Sequence, residues 1–388
     1  MMLRVNTGLS EDQKFVFACL HCPAILRGKL HLDYEKIEKQ WKSEDVEICI
    51  EGVQIESLPS YTLCSDLPVH ISCQGKSMAG GGSPFLYLMQ LMSSEGFLQY
   101  KIQVDALHDI RSRYFPQIRR CFSAYLVGDY VKILAIAKDL RAEDLLKEDP
   151  KYIFHRLIQV IFVPILDMDI KVAVSKEMYG DLVGCRASYH ESYALLLHEF
   201  YEDDIFKAHI KSTLDLLVRL MDKYDALIPA LAYEALLDKS SAAIGDLRIH
   251  RDDFDELKAL YVDLFEVSSR GLAYMGMVAN LARRGNAQMW ANGKKMSLSE
   301  CLKLRSVQRE FIVQEMPETA KLYKQLKRNA RNDFGHFKVQ LDVHTGYLEN
   351  ENGSREHFII FLADLLGAAR VLSHLLTFTE KISLDYGK

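Results

Sequence analysis

The segment Pro317-Glu318-Thr319-Ala320-Lys321-Leu322-Tyr323-Lys324-Gln325-Leu326-Lys327-Arg328-Asn329-Ala330-Arg331-Asn332-Asp333-Phe334-Gly335-His336 carries two periodicities at once. Lys321, Lys324, Arg328 and Arg331 recur at helical spacing and form one basic stripe. Leu322, Leu326 and Ala330 fall on another side. Pro317 suits a first helical turn. Gly335 suits a helix end, because glycine can take a positive φ. The spacing therefore predicts one helix from Pro317 to Gly335, with His336 just beyond it. Five residues of unbroken helix would set Arg331 and His336 about 140° apart. A break at Gly335 lets the two side chains converge.

Outward from this segment the C-terminal half reads as helical. Phe358 to Phe378 is apolar nearly all round, the pattern of a central core helix. Ala208 to Asp222 places Leu214, Leu217, Leu220 and Met221 at helical spacing, and Ala226 to Leu237 and Asp253 to Val278 continue the pattern. Gly285 to Met296 reads as a loop, and a helix resumes near Leu298. Earlier, Ala106 to Leu126 and Tyr130 to Leu146 are predicted helices. Ile158 to Val174 is an apolar run broken by Pro164, predicted as one or two buried strands. In the first hundred residues Val46 to Ile50 alternates like a half-buried strand, and Pro68 to Cys73 and Phe97 to Val104 look similar. Ser77 to Pro84 is a glycine-rich loop. The pattern divides the chain into mixed α/β residues 1–105, mostly helical residues 106–204 and helical residues 205–388.

Composition narrows the function. The 388 residues are 49% apolar and 26% charged, with a net charge of −5. That balance argues against a bulk nucleic-acid binder, so any affinity for a polyanion must be local. A local patch exists: Ala282 to Lys338 holds thirteen Lys/Arg against five Asp/Glu. No uninterrupted apolar run reaches the roughly 18–20 residues of a membrane span, and Met1 to Lys14 lacks a signal-peptide core. A cytoplasmic location is expected, with no membrane contact. The eight cysteines at uneven spacing are then free thiols rather than disulfides.

The chemistry sits at Arg331, Asn332 and His336. Cutting RNA without a metal requires a base for the 2′-hydroxyl proton, an acid for the leaving 5′-oxygen and a fixed cation at the phosphorus centre. Histidine suits the first two because it titrates near neutrality. Arginine suits the third because its planar fork binds two phosphate oxygens and keeps its charge. Asn332 adds a neutral hydrogen-bonding group. Lys321, Lys324, Lys327, Arg328 and Lys338 are the candidate RNA-binding residues.

Arg331-Asn332-x-x-x-His336 resembles the signature of the HEPN superfamily, and the Arg-x(4–6)-His pattern occurs once here despite thirteen histidines. The resemblance covers roughly residues 205–388. It implies an α+β chain: an N-terminal mixed α/β region, then an all-α HEPN bundle with a short β-hairpin after the motif. His336 to Leu348 would form that hairpin, with Thr345-Gly346 as its turn, and Phe358 to Phe378 the closing helix. It further implies a metal-independent endoribonuclease with no cofactor, a homodimer with a composite active site, and products ending in a 2′,3′-cyclic phosphate. HEPN proteins of this layout resemble prokaryotic defence effectors and toxins, which would give an antitoxin or trigger protein as partner. Some such toxins carry Tyr two places after the His; this chain has Lys338 there, which puts that mode of control in doubt. Two rival readings fit the same residues: a HEPN module that binds RNA or nucleotides without cutting, and an unrelated helical interaction protein in which Arg331 caps a helix.

Weaker signals have plainer readings. Cys19 and Cys22 have zinc-knuckle spacing, but Cys64 and Cys73 are not spaced to complete it. Gly75-Lys76-Ser77 lacks the upstream glycine of a phosphate loop, which is His70 here. His190 and His198 are eight apart, not the four of a zinc protease helix. Asp252, Asp253, Asp255 and Glu256 could bind a metal, yet they stand where a helix should begin and acidic residues stabilise it. Tyr323 and Phe334 could stack on bases, although packing in the bundle is the expected role of Phe334.

Overall fold

The computed structural model describes residues 2–5, 12–18, 25–33, 38–42, 60–64, 66–73, 84–140, 146, 148–166, 168–202, 204–290, 293–304, 316–335 and 339–386. The described chain is mostly helical with small sheets, an α+β protein in the broad sense. Its packing groups it into two compact units, each drawn from three stretches. One comprises Met1–His108, Lys223–Ala259 and Asn332–Leu366; the other comprises Asp109–Asp222, Leu260–Arg331 and Gly367–Lys388. The divisions at 105/106 and 204/205 follow sequence pattern in chain order, whereas these units follow contacts.

In the first unit, Asp12–Ala18, Ile25–Asp33 and Glu38–Lys42 form an antiparallel meander. Phe15, Val16 and Phe17 are all buried, so this strand is covered on both faces. Lys14 pairs with Glu256 and Arg27 with Asp252, which ties the meander to the start of helix Phe254–Arg284. Val339–Asp342, Tyr347–Asn350 and Arg355–His357 form a second antiparallel sheet. The turn between its first two strands contains Gly346 at φ +73°, a conformation that favours glycine. His357 then caps the closing helix: its Nδ1 accepts the N–H of Ile359 at 3.2 Å, and its Nε2 lies 3.0 Å from the Leu247 carbonyl. Phe254, Phe334, Phe358 and Phe361 interlock in edge-to-face and stacked contacts with centroids 4.9–6.3 Å apart.

The same unit buries a charge cluster. Arg251 is bonded through Nη1 to Asp225 at 2.9 Å and through Nε and Nη2 to Asp253 at 3.0 and 2.8 Å. All three residues are buried. Burial pushes the Asp253 carboxyl up, but Arg251 and Lys223 outweigh it and hold the group at about 2. Arg251→Met should therefore lose about 3–5 kcal/mol of stability, because buried Asp225 and Asp253 both lose the guanidinium bonded to them and only Lys223 remains on Asp253. Urea titration of wild type and variant checks this; a loss under 1 kcal/mol contradicts it.

The second unit is helical. It contains Phe115–Leu126, Tyr130–Asp139, Pro150–Phe162, Met168–Ser188, His190–Glu202 and Asp204–Asp222, with Leu298–Lys303 and Pro317–Lys324 from later in the chain. Phe200, Phe206 and Tyr274 form one aromatic cluster, and Phe122, Tyr125 and Phe154 another. Gly271 lets the closing helix approach closely: a Cβ there would lie 2.8 Å from Leu375 Cδ1. The closing helix, Phe358–Tyr386, has a mean hydropathy of 1.8 in its most apolar stretch and is long and apolar enough to cross a membrane, although 83% of that stretch is buried within the protein. Its helical length, rather than an unbroken apolar run, gives it that property.

Several predicted elements differ. Phe97 to Val104 is not a strand but part of helix Ser94–Asp109, which Ser93 starts by accepting the N–H of Gly96 on its hydroxyl. Ile158 to Val174 is not strand either. Asp149 caps Pro150–Phe162 by accepting the N–H of Lys151, Pro164 lies in a single 3₁₀ turn, and Met168–Ser188 follows. A fully apolar run has no period to separate buried helix from buried strand. Pro68 to Cys73 is strand only at Val69–His70. The helix after Tyr130 ends at Asp139, short of Leu146. Val46 to Ile50 and residues 77–83 lie outside the described residues.

Candidate functional site

The basic segment is two helices, not one. Pro317–Lys324 ends, Gln325 to Lys327 turn, and Arg328–Gly335 begins. The cause is Tyr261, fully buried on helix Phe254–Arg284. Its hydroxyl accepts the Lys327 N–H at 3.0 Å and donates to the Lys327 carbonyl at 3.1 Å. That carbonyl also accepts the N–H of Arg331 at 3.0 Å, the first bond of the new helix. Tyr323, before the turn, and Leu326, within it, are buried. The four basic residues are consequently not one stripe of a straight helix. Lys321, Lys324 and Lys327 are exposed; the Arg328 side chain lies outside the described residues.

Arg331 points at Glu266, in the same unit. Its Nε donates to Glu266 Oε1 at 2.8 Å and its Nη2 donates to the same oxygen. The two side chains keep 29% and 28% of their surface in solvent. The guanidinium is thus oriented yet reachable. In the other unit, Asn332 is half-buried, and Asp333 accepts a hydrogen bond from Asn350 Nδ2 at 2.7 Å, which fastens it to strand Tyr347–Asn350. Phe334 is buried against Phe254 and Phe361, so it is a core residue and not a base-stacking platform. Tyr323 is buried too. Gly335 is the last described residue of this segment and is helical, without the positive φ that the sequence suggests for it. His336 and Lys338 lie outside the described residues.

The basic window is partly neutralised by carboxylates outside it. Arg283 pairs with Glu177 and Asp181, and Arg331 with Glu266. A window count sees only neighbours in sequence, so it overstates the local positive charge.

The other candidates fall to structural roles. Each acidic residue at 252–256 has a cation: Arg27 for Asp252, Arg251 and Lys223 for Asp253, Lys258 for Asp255, Lys223 and Lys14 for Glu256. Cys64 and Cys73 are buried beside Val69, and burial pushes the Cys64 thiol up to about 12, far from reactivity. His190 and His198 are exposed on one helix. Among the described residues no group of three or more His, Cys, Asp or Glu is placed to hold a metal ion. Cys19, Cys22 and Gly75 to Ser77 lie outside the described residues.

No family model, curated protein or solved structure matches this chain. The site must be argued from its own residues. Sequence reasoning missed Glu266, Tyr261 and Asn350. Arg331 and Glu266 are 65 positions apart, and no local spacing signals such a pair.

Proposed function

We propose that the chain is a metal-independent endoribonuclease of the HEPN type, with Arg331, Asn332 and His336 as its catalytic group. One observation carries the reading: the Arg331 guanidinium is held in a fixed, solvent-reachable orientation on the short helix Arg328–Gly335, five positions before His336 in the sequence. Preorganised cations aimed at developing charge are the strongest single contribution an enzyme of this kind can make.

In the proposed reaction a histidine accepts the 2′-hydroxyl proton, the 2′-oxygen attacks phosphorus, and the P–O5′ bond breaks. The 5′-oxygen leaves with a proton donated by a second acid group. Arg331 bears on the non-bridging oxygens, and Asn332 supplies a neutral donor beside it. The products are a 2′,3′-cyclic phosphate and a 5′-hydroxyl, with no oxidant, reductant or metal consumed. One motif per chain supplies one histidine, so acid and base together call for two copies, the homodimer that the resemblance implies. Lys321, Lys324, Lys327, Arg328 and Lys338 are proposed to follow the backbone of the RNA. The finer fold assignment, a HEPN bundle over residues 205–388, the cytoplasmic location, a defence or toxin role, and an antitoxin or trigger partner belong to the same proposal.

Incubation with total RNA in EDTA, followed by mapping of fragment ends, tests it. Fragments ending in cyclic phosphate are expected. Intact RNA that nevertheless binds the protein supports the rival reading of a non-cutting module; protein that neither binds nor cuts RNA supports a helical interaction protein.

A further inference from the structure

We propose that Glu266 is a positioning residue for Arg331, an inference that rests on the nuclease reading above. Two N–H groups of Arg331, Nε and Nη2, converge on a single carboxylate oxygen of Glu266. Bonding along one edge fixes the plane of the guanidinium, and so the direction of the rest of its donor fork. An arginine otherwise carries rotamer entropy that a phosphate would have to overcome on binding. With Glu266 in place that ordering is complete before RNA arrives.

The anchor itself is rigid. Glu266 stands in the middle of helix Phe254–Arg284, flanked by Leu264, Phe265, Ser268 and Ser269, all fully buried. Tyr261, five residues earlier on the same helix, grips the backbone of Lys327, four residues before Arg331. One helix therefore fixes both the backbone turn that delivers Arg331 and the side chain at its tip.

Stability alone does not account for the pair. A partly exposed ion pair contributes little to stability. A carboxylate beside a phosphate site also repels the substrate. Orientation that speeds the chemical step at some expense in ground-state affinity gives a signature that a structural salt bridge lacks: removing Glu266 should slow turnover without weakening RNA binding.

The test compares full-length wild type, Glu266→Ala, Glu266→Gln and Arg331→Ala. Single-turnover cleavage of a defined RNA in EDTA gives the rate, and anisotropy with the same strand in 2′-O-methyl form gives the affinity. Glu266→Ala should cut about 10²-fold more slowly, the usual effect of a misplaced catalytic group, with Kd unchanged or tighter and Tm within a few degrees of wild type. Glu266→Gln keeps an acceptor oxygen at the same place and should recover most of the lost rate. The inference is overturned if wild type cuts, Arg331→Ala does not, and Glu266→Ala cuts at the wild-type rate. It is also overturned if Glu266→Ala loses binding and cleavage together and Glu266→Gln recovers neither. Wild type that leaves the RNA intact removes the nuclease reading, and this inference with it.

Discussion

His336→Ala should abolish RNA cleavage while leaving RNA affinity nearly unchanged. A positioned acid or base contributes about 10²–10⁴-fold to rate, and in a symmetric site one substitution removes both copies. Alanine at 336 retains Arg331 and the exposed Lys321, Lys324 and Lys327, so the electrostatic attraction for phosphates persists. Arg331→Ala should behave differently. It loses about 10²–10³-fold in rate from the missing cation and also weakens binding, with a shallower dependence of affinity on salt. Single-turnover rates and binding curves at two salt concentrations separate the two. Residual cleavage by His336→Ala at the wild-type rate removes histidine from the mechanism.

The protein should also unfold as the pH falls from about 6.5 toward 4, a loss that begins above the range in which ordinary carboxylates titrate. Four of the buried described histidines are held neutral: burial pushes His155 down to about 3, and His209, His250 and His357 to about 4. Lys381 near His155, Arg270 near His209, and Arg248 near His250 and His357 push the same way. At His250 a hydrogen bond with the Cys64 backbone, and at His357 one with the Leu247 backbone, pull upward without prevailing. The sign follows from proton linkage. In the unfolded chain these imidazoles take up protons near pH 6.5, whereas in the fold they resist until about pH 3–4. Below 6.5 the unfolded state binds more protons, so stability present above 6.5 is lost as the pH falls toward the folded values. Each histidine contributes a slope of about 1.4 kcal/mol per pH unit. Four together exceed the ~5–15 kcal/mol margin of an ordinary domain within two or three units. At His357 the geometry adds a cause, since protonating Nδ1 removes the acceptor for the Ile359 N–H. Melting temperatures from pH 8 to 4 check this; a flat profile down to pH 4.5 contradicts it. Asp253, held at about 2, acts only below about pH 4 and does not shape this window.

What the sequence made legible depended on where each signal was stored. The closing helix was readable because Phe358 to Phe378 is apolar nearly all round, a pattern that a buried core helix tolerates. Pro317 marks a start that holds, and Gly335 is the last described residue of the segment. The break between them was hidden, because the group that stabilises it, Tyr261, lies 66 positions away. The period failed where there was none to read, in Ile158 to Val174. At Phe97 to Val104 a short alternation outweighed the capping serine just ahead of it. Arg331 was found from its motif, but its partner Glu266 belongs to tertiary structure alone. Phe334 had two uses on paper, and the aromatic cluster with Phe254, Phe358 and Phe361 decides for packing.

The central claim is that Arg331 and His336 direct a ribose 2′-oxygen onto its own phosphate. The most direct measurement exposes a mixed-sequence RNA and the same strand, 2′-O-methylated throughout, to the purified protein in EDTA. The RNA should be cut to fragments bearing 2′,3′-cyclic phosphate, and the methylated strand should bind with similar affinity and stay whole. Cutting of the methylated strand, or cutting of RNA that stops when divalent ions are chelated, would contradict the account.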